Sequence, residues 1–166
     1  MTAHTVYIGL GSNLAGPDQQ IEQALEAIKN IAKTQLTRVS SLYTSKPMGP
    51  QDQPDYMNAV AELATQLSPL ELLDQLQAIE LSFGRVRKDE RWGARVLDLD
   101  ILLFANNVID SERLTVPHYG MKVREFVIYP LAEIAPELHL PDGTSVASLQ
   151  KQLDANGLFI VRPLHI

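Results

Sequence analysis

Val6, Ile8 and Leu10 alternate with Tyr7 and Gly9, the period-two signature of a strand with one apolar face. Gly11-Ser12-Asn13 then reads as a turn. Pro17 and Asp18 suit a helix start, and Ile21, Ala24, Leu25, Ile28 and Ile31 follow at helical spacing, with Glu22, Gln23 and Glu26 off that stripe. Residues 36–43 suggest a second strand with Val39 and Tyr43 on one face. Residues 56–65 suggest a third, with Met57, Ala59, Ala61 and Leu63 on its apolar face and Tyr56 and Asn58 on the other. Ser68 as N-cap and Pro69 at the first position open a second helix, whose buried stripe is Leu72, Leu73, Leu76, Ile79 and Phe83. Leu97 to Phe104 reads as a fourth, interior strand.

The order β-α-β-β-α-β predicts an α+β, ferredoxin-like sandwich, with helices packed on a mainly antiparallel sheet. An irregular C-terminal extension follows. It contains a Pro141-Asp142-Gly143 turn, a short helix near 145–154 and an apolar strand at Leu158 to Val161.

With 166 residues, 45% of them hydrophobic, the chain suits one domain (1–166) with a substantial core. It has no cysteine, which excludes disulfides and thiolate metal sites. The N-terminus lacks a basic, then apolar, leader, and the longest apolar run, Ile101 to Ala105, is too short to span a bilayer. A soluble, cytoplasmic protein without a membrane partner is expected, acting as a monomer. A net charge of -6 argues against nucleic acid as a partner. Against that background, five basic residues (Arg85, Arg87, Lys88, Arg91, Arg95) and only two acidic ones (Asp89, Glu90) between Gly84 and Val96 form a local cationic segment.

Asp98-Leu99-Asp100 lies within the fourth predicted strand, so both carboxylates share a face. Two such charges about 6 Å apart repel by about 2–3 kcal/mol at an effective dielectric of about 20, which a divalent cation would relieve. Hard oxygen ligands favour magnesium over zinc. The alternative is a solvated face with both carboxylates hydrated. The preceding arginines offer planar forks of donors that match phosphate oxygens, and Trp92 among them would cover a ligand or a closed site. A solvated basic loop with the tryptophan packed on the core is the competing reading, and RNA binding is a third. Arg113 to Tyr119, with Lys122, Arg124 and Phe126, gathers a second basic cluster near His118, a residue type more often structural than functional. In the proline-rich segment before Tyr56 and Asn58, an aromatic ring and an amide on one strand face can stack on and hydrogen-bond a flat heterocycle. An ordinary connection with a polar strand face explains the same residues.

Taken together, these segments resemble the 6-hydroxymethyl-7,8-dihydropterin pyrophosphokinases of folate biosynthesis. The likeness is carried by Gly11-Ser12-Asn13, by the run from Gly49 to Tyr56, by Gly84 to Arg87 and by Arg113 to Tyr119. Its most specific element is the run from Arg91 to Leu102. Ser45, Lys46 and Ala94 stand where relatives often carry Thr, Pro and Pro.

The resemblance implies transfer of the β,γ-pyrophosphate of ATP to the hydroxymethyl oxygen of the reduced pterin, with AMP leaving and two Mg2+ ions as cofactors. It implies that Asp98 and Asp100 hold the metals and that Arg85 and Arg95 assist transfer. Gln77, Glu80, Arg87, Arg91, Trp92, Ile101, Arg113, Thr115, His118, Tyr119 and Arg124 would line the ATP site. Ser45, Met48, Tyr56, Asn58 and Phe126 would form the pterin pocket. Two other functions remain open from the residues alone: a metal-dependent phosphohydrolase or nuclease using the same aspartates, and a non-catalytic nucleotide-binding module.

Overall fold

The computed structural model describes residues 3–12, 17–45, 56–83, 97–155 and 157–165. Strand β1 (His4–Ser12) and helix α1 (Pro17–Lys29) come first. Strands β2 (Thr34–Val39), β3 (Leu42–Ser45) and β4 (Tyr56–Thr65), helix α2 (Pro69–Ser82) and strand β5 (Asp98–Phe104) complete the predicted β-α-β-β-α-β unit. The sheet runs β5-β1-β4-β3 and ends on a last strand, β8 (Phe159–Arg162), with β2 also pairing β4, and its recorded pairings are antiparallel. The ferredoxin-like expectation therefore holds.

One face of the sheet carries Val6, Ile8, Leu10, Ala59, Ala61, Leu63, Leu99 and Ile101. These pack against Ile21, Ala24, Leu25 and Ile28 of α1 and against Leu72, Leu73 and Leu76 of α2. Each large aliphatic side chain so buried contributes about 1.5–3 kcal/mol. At the start of α2 the Ser68 hydroxyl accepts from the Glu71 N–H at 3.2 Å, and the Glu71 carboxylate accepts from the Ser68 N–H at 2.8 Å. This reciprocal cap fixes where the helix begins.

Three differences from the sequence reading matter. Gly11 and Ser12 extend β1 rather than turning. The strand predicted over 36–43 breaks at Ser40-Ser41, where the Ser40 hydroxyl accepts from the Val60 N–H at 3.0 Å. The break flips the alternation, so Val39 and Leu42 pack with α1 and α2 while Tyr43 faces the opposite side. Glu80, not only apolar residues, occupies the buried stripe of α2, and Ile79 and Phe83 are only partly buried.

The C-terminal region is more regular than predicted. A two-stranded ribbon, β6 (Ile109–Asp110) with β7 (Thr115–Val116), precedes a 3-10 turn at Met121–Val123 and an unpredicted helix, α3 (Glu125–Ile134). The predicted turn is present, with Gly143 at φ 91° donating its N–H to Leu140 O. The predicted short helix is α4 (Val146–Gln152), and the last strand is β8 (Phe159–Arg162). Val127, Ile128 and Leu131 of α3 and Val146 and Leu149 of α4 pack against Tyr7, Val60, Leu102 and Leu103. The extension thus covers one end of the sheet's second face. Among the described residues no helix is long and apolar enough to cross a membrane.

Candidate active site

The second face continues past the apolar cluster, and there its character changes. β1 presents Gly9 and Gly11, which stand opposite Asp100 and Asp98 on β5. On the other side of β1, Gly11 stands opposite Asn58 of β4, and Ser45 of β3 stands opposite Tyr56. Without side chains at 9 and 11, β1 forms a low floor between the carboxylates and Asn58. Asp100 is exposed and Asp98 half-buried. Among the described residues, the pair predicted from the sequence therefore lies on one face of a strand at the sheet's edge.

The segment after β7 closes one side of this floor. The His118 N–H donates to Leu102 O at 3.0 Å, which ties the segment to β5. His118 Nδ1 accepts from the Gly120 N–H at 3.1 Å, so a neutral ring carries its proton on Nε2. Burial holds the imidazole below its ordinary pKa; Asp100 opposes that shift and Arg124 adds to it. Tyr119, largely exposed, stacks on His118 with centroids 4.7 Å apart. The Arg124 guanidinium lies 5.6 Å from the Tyr119 ring centroid and 5.8 Å from that of Phe126. It links residues expected on the nucleotide side to one expected on the pterin side.

A second group assembles on α2. Arg113 donates to Asp74 at 2.6 Å and to Gln77 at 3.1 Å, and Thr115 is exposed two residues further along the ribbon. One turn beyond Gln77, Glu80 is only 6% exposed, and its carboxylate accepts from the Leu99 N–H at 2.8 Å. Ile101 is buried in the core, on the face opposite the aspartates, so only its main chain is placed to meet a ligand. Met48, Arg85, Arg87, Arg91, Trp92 and Arg95 lie outside the described residues.

Sequence reasoning missed the part played by Gly9 and the contact between Glu80 and the Leu99 amide. The available signal for the first was two glycines at strand spacing in a run otherwise rich in β-formers. For the second, the available signal was an acidic residue at a four-residue step after Leu72 and Leu76, on the apolar stripe of α2.

The donor set suits magnesium. Among the described residues no cluster of three or more Asp, Glu, His or Cys side chains gathers. Two carboxylates, completed by water and substrate phosphates, are what this ion ordinarily takes from a protein.

A pyrophosphokinase from Haemophilus influenzae, named for 2-amino-4-hydroxy-6-hydroxymethyldihydropteridine, is 55% identical over 96% of this chain and 99% of its own. Its namesake from Pseudomonas aeruginosa is 58% identical over 87% of this chain and 88% of its own. A crystal structure of wild-type Plasmodium falciparum HPPK-DHPS matches with a TM-score of 0.71 at 14% identity, a likeness that carries the fold alone. That match covers 90% of this chain but 44% of the other, so the chain spans less than half of that protein. The family model described as 7,8-dihydro-6-hydroxymethylpterin-pyrophosphokinase (HPPK) matches residues 7–136, and the chain belongs to that family.

Proposed function

We propose that this protein transfers pyrophosphate from ATP to the hydroxymethyl group of 6-hydroxymethyl-7,8-dihydropterin, giving AMP and the pterin pyrophosphate in folate biosynthesis. The observation that carries the reading is the Asp98–Asp100 pair, set on one face of the sheet opposite Gly11 and Gly9 in a chain of this family. In the reaction the pterin oxygen bonds to the β-phosphorus, the bond from that phosphorus to the oxygen bridging to the α-phosphate breaks, and the hydroxyl proton departs. Attack is in line, with charge spread over the transferred oxygens.

Asp98 and Asp100 would hold two Mg2+ ions. Bound there, magnesium neutralises phosphate charge and acidifies the substrate hydroxyl. Asn58 would hydrogen-bond the pterin edge, while Tyr56 and Phe126 stack on its faces and Ser45 and Met48 complete the pocket. His118, kept neutral by burial, would donate from Nε2, and Tyr119 and Arg124 would hold the nucleotide beside it. Gln77, Arg113 and Thr115 would bind the nucleotide from the ribbon side, and Ile101 through its main chain. Arg85 and Arg95 would assist transfer, with Arg87, Arg91 and Trp92 closing over the phosphates to exclude water. The protein would work as a cytoplasmic monomer, with residues 1–166 acting as one unit.

Mass analysis of products tests the reading. AMP and pterin pyrophosphate should appear together, and only when ATP, Mg2+ and the reduced pterin alcohol are all present. ADP as the product, or phosphate release without pterin, would instead identify a simple kinase or a phosphohydrolase.

A further inference from the structure

Glu80 occupies a position that the pattern of its helix assigns to an apolar residue. It follows Leu72 and Leu76 at four-residue steps on the buried stripe of α2, and it is nearly as buried as they are. A carboxylate there loses hydration that a leucine would not have needed, so its presence requires a polar partner. One such partner is the Leu99 N–H, 2.8 Å from Glu80 Oε2.

Leu99 is the residue between the two aspartates. Its N–H donates to Glu80, on the side of β5 away from β1, where no described strand pairs with the Asp98–Ile101 stretch. Without Glu80 that amide would lose a buried, charge-assisted bond, which is roughly twice as strong as one to a neutral acceptor. Holding the peptide that joins Asp98 to Leu99 fixes the torsions from which both aspartates project. α2 is itself anchored by Leu72, Leu73 and Leu76, so the restraint is transmitted from the core.

We propose that Glu80 is a positioning residue for the cation site, its buried carboxylate gripping the Leu99 amide so that Asp98 and Asp100 converge on shared metal. This rests on the pyrophosphokinase reading, and it gives Glu80 a role in aiming the carboxylates that nucleotide contact alone would not supply.

The test compares wild type, Glu80→Gln and Glu80→Leu. Glu80→Leu restores an apolar stripe and should keep the melting temperature close to wild type. In the metal-free protein its Leu99 amide should lose about tenfold or more of its hydrogen-exchange protection, and half-saturating Mg2+ for AMP formation should rise about 10–100-fold. The KM for pterin should stay unchanged. Glu80→Gln can accept the same bond and should recover most of both losses. An unchanged Mg2+ requirement in Glu80→Leu overturns the proposal, as does a Glu80→Gln variant equally impaired despite a protected Leu99 amide. If wild type forms no AMP, the reaction assignment fails instead, while exchange at Leu99 still reports whether Glu80 holds the strand.

Discussion

Gly11 and Asn58 face each other across β1 and β4, and a Cβ on Gly11 would stand 3.2 Å from the Asn58 amide oxygen. That approach is tighter than ordinary contact, so a side chain at 11 pushes the amide aside by a few tenths of an ångström. Gly11→Ala should therefore raise the KM for reduced pterin about fivefold, the equivalent of one weakened hydrogen bond of about 1 kcal/mol, with the KM for ATP little changed. Steady-state kinetics with each substrate varied in turn provide the check, and an unaltered pterin KM would remove Asn58 from the pocket.

Arg124 lies over both Tyr119 and Phe126, so its removal should be felt by both substrates. Arg124→Ala is expected to raise both KM values, each by about tenfold, the scale of a partly desolvated cation–π contact. An effect confined to one substrate would place the guanidinium in only one subsite.

Tyr43 donates to Glu133 at 2.9 Å, and burial, reinforced by that carboxylate, pushes its phenol well above the ordinary tyrosine range. A raised folded-state pKa means the folded form keeps its proton where the unfolded chain has lost it. The stabilisation is complete below about pH 10 and falls away as pH climbs beyond it. Tyr43→Phe should cost about 1–2 kcal/mol at neutral pH. It should also flatten the loss of stability above pH 10, as followed by denaturant unfolding at several pH values.

Much of this site was legible in the chain because local periodicity carries it. Alternation placed Asp98 with Asp100 and Tyr56 with Asn58, and the Ser68-Pro69 start set the phase of α2. What failed to show depends on contacts distant in sequence. The contact of Glu80 with the Leu99 amide did not show because the two lie 19 residues apart in the chain. The flip of Tyr43 depends on a break at Ser40, whose hydroxyl meets Val60 across the sheet. Helix α3 was missed because it is apolar on most sides and contains Pro130, which lacks the N–H that would bond the Phe126 carbonyl.

Asp100→Asn removes one of two neighbouring like charges from an exposed position, so the metal-free protein should melt no lower than wild type. AMP formation should nevertheless fall by more than about a hundredfold, beyond the usual cost of disturbing a group that only supports a metal ligand. A lowered melting temperature with turnover retained would mark Asp100 as structural.

The most direct measurement is anomalous diffraction from a crystal grown with Mn2+ and a non-hydrolysable ATP analogue. Mn2+ peaks should stand about 2.1 Å from carboxylate oxygens of both Asp98 and Asp100, and in contact with the triphosphate. A bound triphosphate whose metal touches neither aspartate would contradict that placement.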